Sequence, residues 1–284
     1  MRLRSLLFVP ADRPDRFAKA AESGADAIIL DLEDSVYPAQ KRAARAAVSD
    51  WLTGERSVRT FVRVNPIDSD DIAADLSIFA SGRPDGIVLP KAEGAISIEL
   101  LLEKLGGGSI PILPIATETP AAIFEMGSYR RVAGQLAGVT WGAEDLPAAV
   151  GAITSRNDDG SYTAPYQMVR ALALFSAHAA HVAAIETVYP AIRDEAGLAA
   201  YAAQGARDGF TGMMALHPVQ VPIINAAFTP DDAAVAHARA IVAAFAAVPG
   251  AGVLMLNGKM IDAPHVAQAR KILERAGYSD EQNL

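Results

Sequence analysis

The chain has 284 residues, 51% hydrophobic and 20% charged, enough apolar residue for a substantial core and too much for an intrinsically disordered segment. Its 25 Lys and Arg against 33 Asp and Glu leave a formal net charge of −8, which argues against a partner nucleic acid or anionic membrane held by a basic surface. There is no cysteine, so a disulfide scaffold, a thiolate zinc site and a cysteine nucleophile are excluded.

The N-terminal apolar run spans only Leu6–Val9 before Asp12 and Arg13, too short for an export signal. No run of about 18 apolar residues follows, so no membrane-spanning helix is expected and the chain reads as soluble and cytoplasmic. Short β-rich runs then alternate with longer Ala-rich helical patterns. The predicted strands are Leu6–Val9, Ala27–Leu32, Thr60–Val64, Gly86–Leu89, Ile110–Ile115, Val139–Trp141, Val182–Val188 and Gly212–Leu216. The predicted helices are Pro14–Ser23, Ala39–Leu52, Asp70–Phe79, Ala95–Leu105, Pro120–Arg131, Ala164–Ala179, Asp194–Arg207 and Val219–Phe228.

Eight strand–helix units at this length favour an α/β fold of the (β/α)8 (TIM) barrel type, residues 1–228. A doubly wound open sheet is the alternative, but no G-x-G-x-x-G follows the first strand, and Gly106-Gly-Gly108 precedes a strand, as a linker does. Residues 229–284 change rhythm: a helix Pro230–Ala247, a β-like run Val253–Leu256, the turn Asn257-Gly258, Lys259–Asp262 and a last helix Pro264–Ala276. This helical and hairpin extension is too small to fold alone and is expected to pack as a lid on the barrel or on a neighbouring subunit.

A barrel of this kind does its chemistry at the C-terminal ends of its strands. There the sequence places Asp31, Glu33 and Asp34 after strand two, Arg63 at strand three, Lys91 after strand four, Glu118 after strand five, and Glu144 and Asp145 after strand six. Glu118 and Asp145 end consecutive strands, which lie roughly 4.8 Å apart in a sheet. Both carboxylates can reach one oxygen-preferring ion such as Mg2+, or each can cap the helix that follows it. Arg63, in an apolar strand, needs a buried anion: a substrate carboxylate or one of Asp31, Glu33 and Asp34. Arg13, Arg16 and Lys19 gather near a helix start, where they suit a phosphate or stand as solvated charge. His178 and His181 have an i, i+3 spacing that could bind zinc but lie at a helix end, where His is favourable anyway; His217, at the end of strand eight, can touch the site or be structural, and His237 and His265 carry no clear chemistry.

The motifs Leu7-Phe-Val-Pro-Ala-Asp-Arg-Pro14, Ile29-Leu-Asp-Leu-Glu-Asp34, Val62-Arg-Val-Asn65, Val88-Leu-Pro-Lys91, Glu118-Thr, Gly142-Ala-Glu-Asp145, His217-Pro and Gly258-Lys-Met-Ile-Asp262 occur in this order. Together they resemble the citrate lyase β-subunit-like (CitE-like) branch of the HpcH/HpaI aldolase superfamily. The resemblance implies Mg2+-dependent making or breaking of a C–C bond between a CoA thioester and a 2-oxo acid, with Mn2+ as an alternative ion. It implies Glu118 and Asp145 as metal ligands, Arg63 as the holder of the substrate carboxylate, and Glu33 and Asp34 as water-ordering acids. Arg13, Arg16 and Lys19 fall where relatives meet coenzyme A phosphates. Asp262 matches a lid carboxylate that acts as base in a neighbouring subunit's site, and a homotrimer is implied. The resemblance leaves room for an aldolase on free hydroxy-oxo acids, a thioesterase on malyl-CoA, and a citrate lyase β-type subunit needing an acyl-carrier partner. Two departures stand out: Glu186 where many relatives have Asp, and Met213-Met214 in place of a Lys common in the lyases.

Overall fold

The computed structural model describes residues 2–107 and 109–278; Met1, Gly108 of the glycine run and residues 279–284 of the extension lie outside the described residues. Eight parallel strands form one sheet: β1 (Ser5–Pro10), β2 (Ala27–Asp31), β3 (Arg59–Arg63), β4 (Gly86–Leu89), β5 (Ile112–Pro114), β6 (Gly138–Thr140), β7 (Ala183–Glu186) and β8 (Gly212–Ala215). Their order runs β5-β4-β3-β2-β1-β8-β7-β6. The β5–β6 seam is carried by parallel bridges Ile112↔Leu136 and Ile115↔Thr140, with Ala116 N–H donating to the Thr140 carbonyl at 2.9 Å. The architecture is the (β/α)8 barrel, and all eight predicted strands are present.

Around the barrel run α1 (Phe17–Ala21), α2 (Lys41–Thr53), α3 (Ile72–Ser77), α4 (Ala95–Lys104), α5 (Pro120–Glu125), α6 (Leu146–Val150), α7 (Ala164–Ala179), α8 (Glu195–Asp208) and α9 (Val221–Ala227). In α2, Ala44, Val48 and Leu52 recur every four residues and are the buried ones, the single apolar stripe a barrel helix needs. The barrel interior is closed by Leu6, Ala27, Ile29, Phe61, Val88, Leu113, Ile185 and Met214, which form one buried cluster. Gly86 pairs with Phe61 across β3 and β4, and a Cβ on Gly86 would stand 2.2 Å from the Phe61 ring, so glycine makes room for the largest side chain of that cluster.

Three helices differ from expectation. The segment Pro14–Ser23 begins as a 3-10 turn, Pro14–Arg16, and holds only the five helical residues of α1. The segment Pro120–Arg131 is α5 followed by a 3-10 stretch, Met126–Gln135, interrupted at Val132 (φ −117°, ψ 18°). Gly127 and Gly134 weaken α-helix there, and the buried Tyr129 hydroxyl in this stretch donates to the Ala92 carbonyl at 3.2 Å. The short α6 stands outside the eight predicted strand–helix units, in the place of the helix that Asp145 can cap in one of its two readings. Its signals were present: Asp145 at the N-cap position, Pro147 in the first turn and Gly151 in the left-handed region at its end (φ +70°).

Contacts divide the chain into two compact units, Leu3–Asn225 and Ala226–Leu284 with Arg2. The second unit contains α10 (Asp232–Ala247), an antiparallel hairpin of β9 (Val253–Leu256) and β10 (Lys259–Asp262), and α11 (Ala263–Arg275). Asn257 (φ 51°) and Gly258 (φ 75°) make its two-residue turn, the left-handed pair that favours tight hairpins. Ala238, Ile241 and Val242 of α10, Ile261 of β10, and Ala269 and Leu273 of α11 form its own core. Among the described residues no helix is long and apolar enough to cross a membrane.

Candidate active site

Period-two alternation carries the barrel core upward into a charged layer. Leu6, Ile29 and Phe61 face the interior, so Phe8, Asp31 and Arg63, two residues further along each strand, point the same way. The register pairs Ile29 with Phe61 and Asp31 with Arg63. Arg63 Nε and Nη2 donate to Asp31 Oδ1 and Oδ2 at 2.6 and 2.7 Å, and the guanidinium lies 5.0 Å from the Phe8 ring centroid. Burial alone would raise the Asp31 pKa, but the Arg63 charge and its hydrogen bonds, with amide bonds from Glu33 and Ser35, carry it below the usual carboxylate range. Of the two readings of Arg63, the fold itself contains the ion pair. Its Nη1 then faces Glu33 Oε2 at 2.9 Å and Asp34 Oδ2 at 3.6 Å. Glu33 Oε2 is buried and receives no aligned hydrogen bond, so that approach is purely electrostatic.

Lys91 ties this layer to the next two strands. It follows β4 with φ +50°, a left-handed conformation uncommon for a residue with a side chain. That turn aims its amide at Glu118 Oε2, 2.6 Å away. Its ammonium meets Glu33 Oε1 at 2.8 Å and stands 3.7 Å from Asp145 Oδ1. Glu118 is only 5% exposed. Burial, reinforced by the charges of Glu33 and Asp145 and opposed by the Lys91 amide, pushes its carboxyl up to about 8. The ends of β5 and β6 are clamped together, because Thr117 Oγ1 donates to the Gly142 carbonyl at 2.8 Å and accepts from the Gly142 amide at 2.9 Å.

Helix capping does not account for the two acids. Thr119 caps α5, accepting from the Ala122 amide at 3.1 Å, and Asp145 sits at the N-cap position of α6 without a side-chain cap bond. Both carboxylates remain available. The donor set, a buried carboxylate and a partly exposed second one, suits an oxygen-preferring divalent ion. Among the described residues no three acids or histidines converge as a ligand set.

The remaining expected residues are placed as follows. Arg13 is exposed and paired with Asp15 through bonds of 2.9 and 2.8 Å, while Arg16 and Lys19 are exposed without an ion pair among the described residues. Because α1 has only five residues, Arg16 stands at its N-cap and Lys19 in its middle, a single turn rather than a long helical face. Asp262 ends β10 and caps α11, with Oδ1 2.5 Å from His265 Nδ1, and the Asp262 amide donates to the same ring nitrogen at 3.2 Å. His265, which carried no clear chemistry in the sequence, is thus the neighbour of the candidate base. His178 is tied to the Gly209 carbonyl at 3.0 Å, and His217 caps the turn Pro218–Gln220. Met214 fills the barrel interior, so the departure at Met213-Met214 changes the core.

Glu186 is the hub sequence reasoning did not see. Fully buried at the end of β7, it accepts from Trp141 Nε1 at 2.5 Å, the Tyr201 hydroxyl at 2.9 Å, the Thr187 amide at 3.0 Å and Arg170 Nε at 2.7 Å. Trp141 directly precedes the Gly142–Asp145 segment. The available signal was a carboxylate at a strand end with an Arg one helix earlier.

The family model described as HpcH/HpaI aldolase/citrate lyase matches residues 4–218. The chain belongs to this family. A citrate lyase subunit beta-like protein of Mycobacterium tuberculosis is 37% identical over 278 residues, 95% of this chain and 94% of the relative. A (3S)-malyl-CoA thioesterase of Cereibacter sphaeroides is 34% identical over 282 residues, 96% of this chain and 94% of that one. The solved structure of CitE from Mycobacterium tuberculosis in complex with magnesium, acetoacetate and coenzyme A superposes with a TM-score of 0.83 at 36% identity, covering 98% of this chain and 99% of that one. This member of the citrate lyase family is an enzyme of the lyase class, with its charged layer at the strand ends where such barrels react.

Proposed function

We propose that this enzyme is a Mg2+-dependent carbon–carbon lyase that cleaves, or in reverse forms, a 3-hydroxyacyl-CoA such as malyl-CoA or citramalyl-CoA. The products of cleavage are acetyl-CoA and a 2-oxo acid, glyoxylate or pyruvate. The observation that carries this reading is the buried Glu118 beside Asp145, in a layer where Lys91 and Arg63 supply the opposing charge. The magnesium, acetoacetate and coenzyme A held by the CitE relative support it.

Glu118 and Asp145 would hold the ion, and Mn2+ suits the same oxygen donors. When bound, the ion supplies positive charge for the oxyanion that develops as the bond breaks. Arg63 binds the substrate carboxylate through Nη1, which exchanges its 2.9 Å approach to Glu33 Oε2 for the substrate, since Nε and Nη2 are held by Asp31. Glu33 and Asp34 order water beside it. Asp262, contributed by a neighbouring subunit of a homotrimer, takes the hydroxyl proton. The O–H electrons form the new carbonyl, and the C–C pair passes to the thioester α-carbon. That carbon takes up a proton and leaves as the methyl group of acetyl-CoA. Arg13, Arg16 and Lys19 meet the CoA phosphates.

A coupled assay with malyl-CoA and citramalyl-CoA, with Mg2+ and after EDTA treatment, tests the reading. EDTA-sensitive release of glyoxylate or pyruvate with acetyl-CoA is expected. Release of free CoA with malate instead would favour thioester hydrolysis, the activity named for the Cereibacter sphaeroides relative. Turnover of free hydroxy-oxo acids alone, or activity only with an acyl carrier, would overturn it.

A further inference from the structure

We propose that Lys91 is the residue that sets how tightly this site takes its divalent cation, acting through two separate groups: its amide positions Glu118, and its ammonium competes with the cation for the carboxylate charge. The inference rests on the two-carboxylate ion site proposed above.

The geometry divides the two roles. The left-handed backbone at Lys91 turns its N–H onto Glu118 Oε2 at 2.6 Å, a contact any residue that tolerates this conformation can make. The ammonium instead reaches Glu33 Oε1 at 2.8 Å and Asp145 Oδ1 at 3.7 Å, bridging acids from the β2 and β6 ends. Arg63 is engaged by Asp31 through two of its nitrogens, so Lys91 is the cation positioned between Glu33 and the Glu118–Asp145 pair. An ammonium so close to a candidate ligand repels an incoming divalent ion and offsets the repulsion among Glu33, Glu118 and Asp145 while the site is ion-free. Both effects are Coulombic and fall on the same three acids.

The two effects have opposite signs on removal of the charge. Lys91→Gln removes the charge and leaves a polar side chain one atom shorter; Lys91→Gly also removes the charge and relieves the left-handed backbone, so the two variants perturb the fold in different ways. Mg2+ titration by calorimetry and Mn2+ titration by electron paramagnetic resonance, on EDTA-treated full-length protein, read the affinity directly. Expected is cation binding roughly tenfold tighter in both variants, from loss of one nearby charge in a partly screened site, together with a lower melting temperature before the cation is added. Lys91→Arg, which keeps the charge, is expected to stay near wild type in affinity. A residue that merely held the loop together would weaken cation binding when replaced, and weaker or unchanged affinity in folded Lys91→Gln and Lys91→Gly overturns the inference. If wild-type protein itself takes up neither Mg2+ nor Mn2+, the ion site fails and the inference with it; if wild type binds and only the sign is wrong, the ion site stands.

Discussion

Asp31 and Arg63 stand opposite each other in the β2–β3 register and are joined by two near-parallel bonds of 2.6 and 2.7 Å. The pair consumes one edge of the guanidinium and leaves Nη1 on the side of Glu33 and Asp34. Asp31 therefore decides which edge of Arg63 faces the acids that follow β2.

Asp31→Asn should destabilise the protein by about 3 kcal/mol at neutral pH, the lower end of what breaking a buried pair costs, because Glu33 and Asp34 still face the cation. The pH dependence follows from the lowered Asp31 pKa. A carboxyl held below its unfolded value stabilises the fold above that value, and the contribution disappears as pH falls through the folded-state pKa. The difference in melting temperature between wild type and Asp31→Asn is thus full near pH 7 and narrows below about pH 4. A gap that persists undiminished at pH 3 would show that packing, not charge, is lost.

Glu118→Gln and Asp145→Asn should each lower kcat at least a hundredfold, since each removes one of the two proposed ligands. Their stabilities should part company. Glu118 is a buried acid whose ionisation is disfavoured, so its amide variant should melt at or above the wild-type temperature without divalent ion. Asp145 is 39% exposed at its side chain and its replacement should leave the melting temperature within a degree or two. Turnover assays and thermal melts on the same preparations check both halves. Near-wild-type kcat in either folded variant would remove that residue from the ion site.

The barrel and most of this charged layer could be read in the sequence because both follow from short-range rules. Period two places Asp31 and Arg63 above Ile29 and Phe61, and alternation of strands with helices orders the strand ends around one mouth. What could not be read depended on contacts between distant elements. The Arg63 guanidinium had three acids within reach, and only the register picks Asp31. The Lys91 amide meets Glu118 because of a left-handed turn that nothing in Pro90-Lys91 announces. Glu186 gathers donors from positions 141, 170 and 201, a convergence that spacing along the chain does not encode.

Arg16→Ala and Lys19→Ala should raise KM for a CoA ester several-fold with kcat nearly unchanged, while activity becomes less sensitive to added salt. Arg13→Ala should do least, because Asp15 already pairs with that side chain. All three residues are exposed, so melting temperatures should not move. Steady-state kinetics at two ionic strengths give the answer. Unchanged KM in the Arg16/Lys19 double variant would mean that phosphates are met elsewhere.

Glu186 supplies the sharpest structural test, because four donors from four places end on one buried carboxylate. Glu186→Ala would leave the Arg170 guanidinium, 16% exposed at its side chain, with Asp208 as its remaining partner, and would orphan Trp141 Nε1 and the Tyr201 hydroxyl. The expected loss is about 3 kcal/mol, the lower end for a broken buried pair because Asp208 still meets Arg170, with unpaired polar groups beside it. Glu186→Asp is one methylene shorter. It should keep the Arg170 charge pair but loosen the Trp141 bond, for about 1–2 kcal/mol. Because Trp141 leads directly into Gly142–Asp145, the Asp variant should also shift tryptophan fluorescence and weaken Mg2+ binding, whereas a loss confined to stability would mean that the hub braces the barrel wall without reaching the candidate ligand.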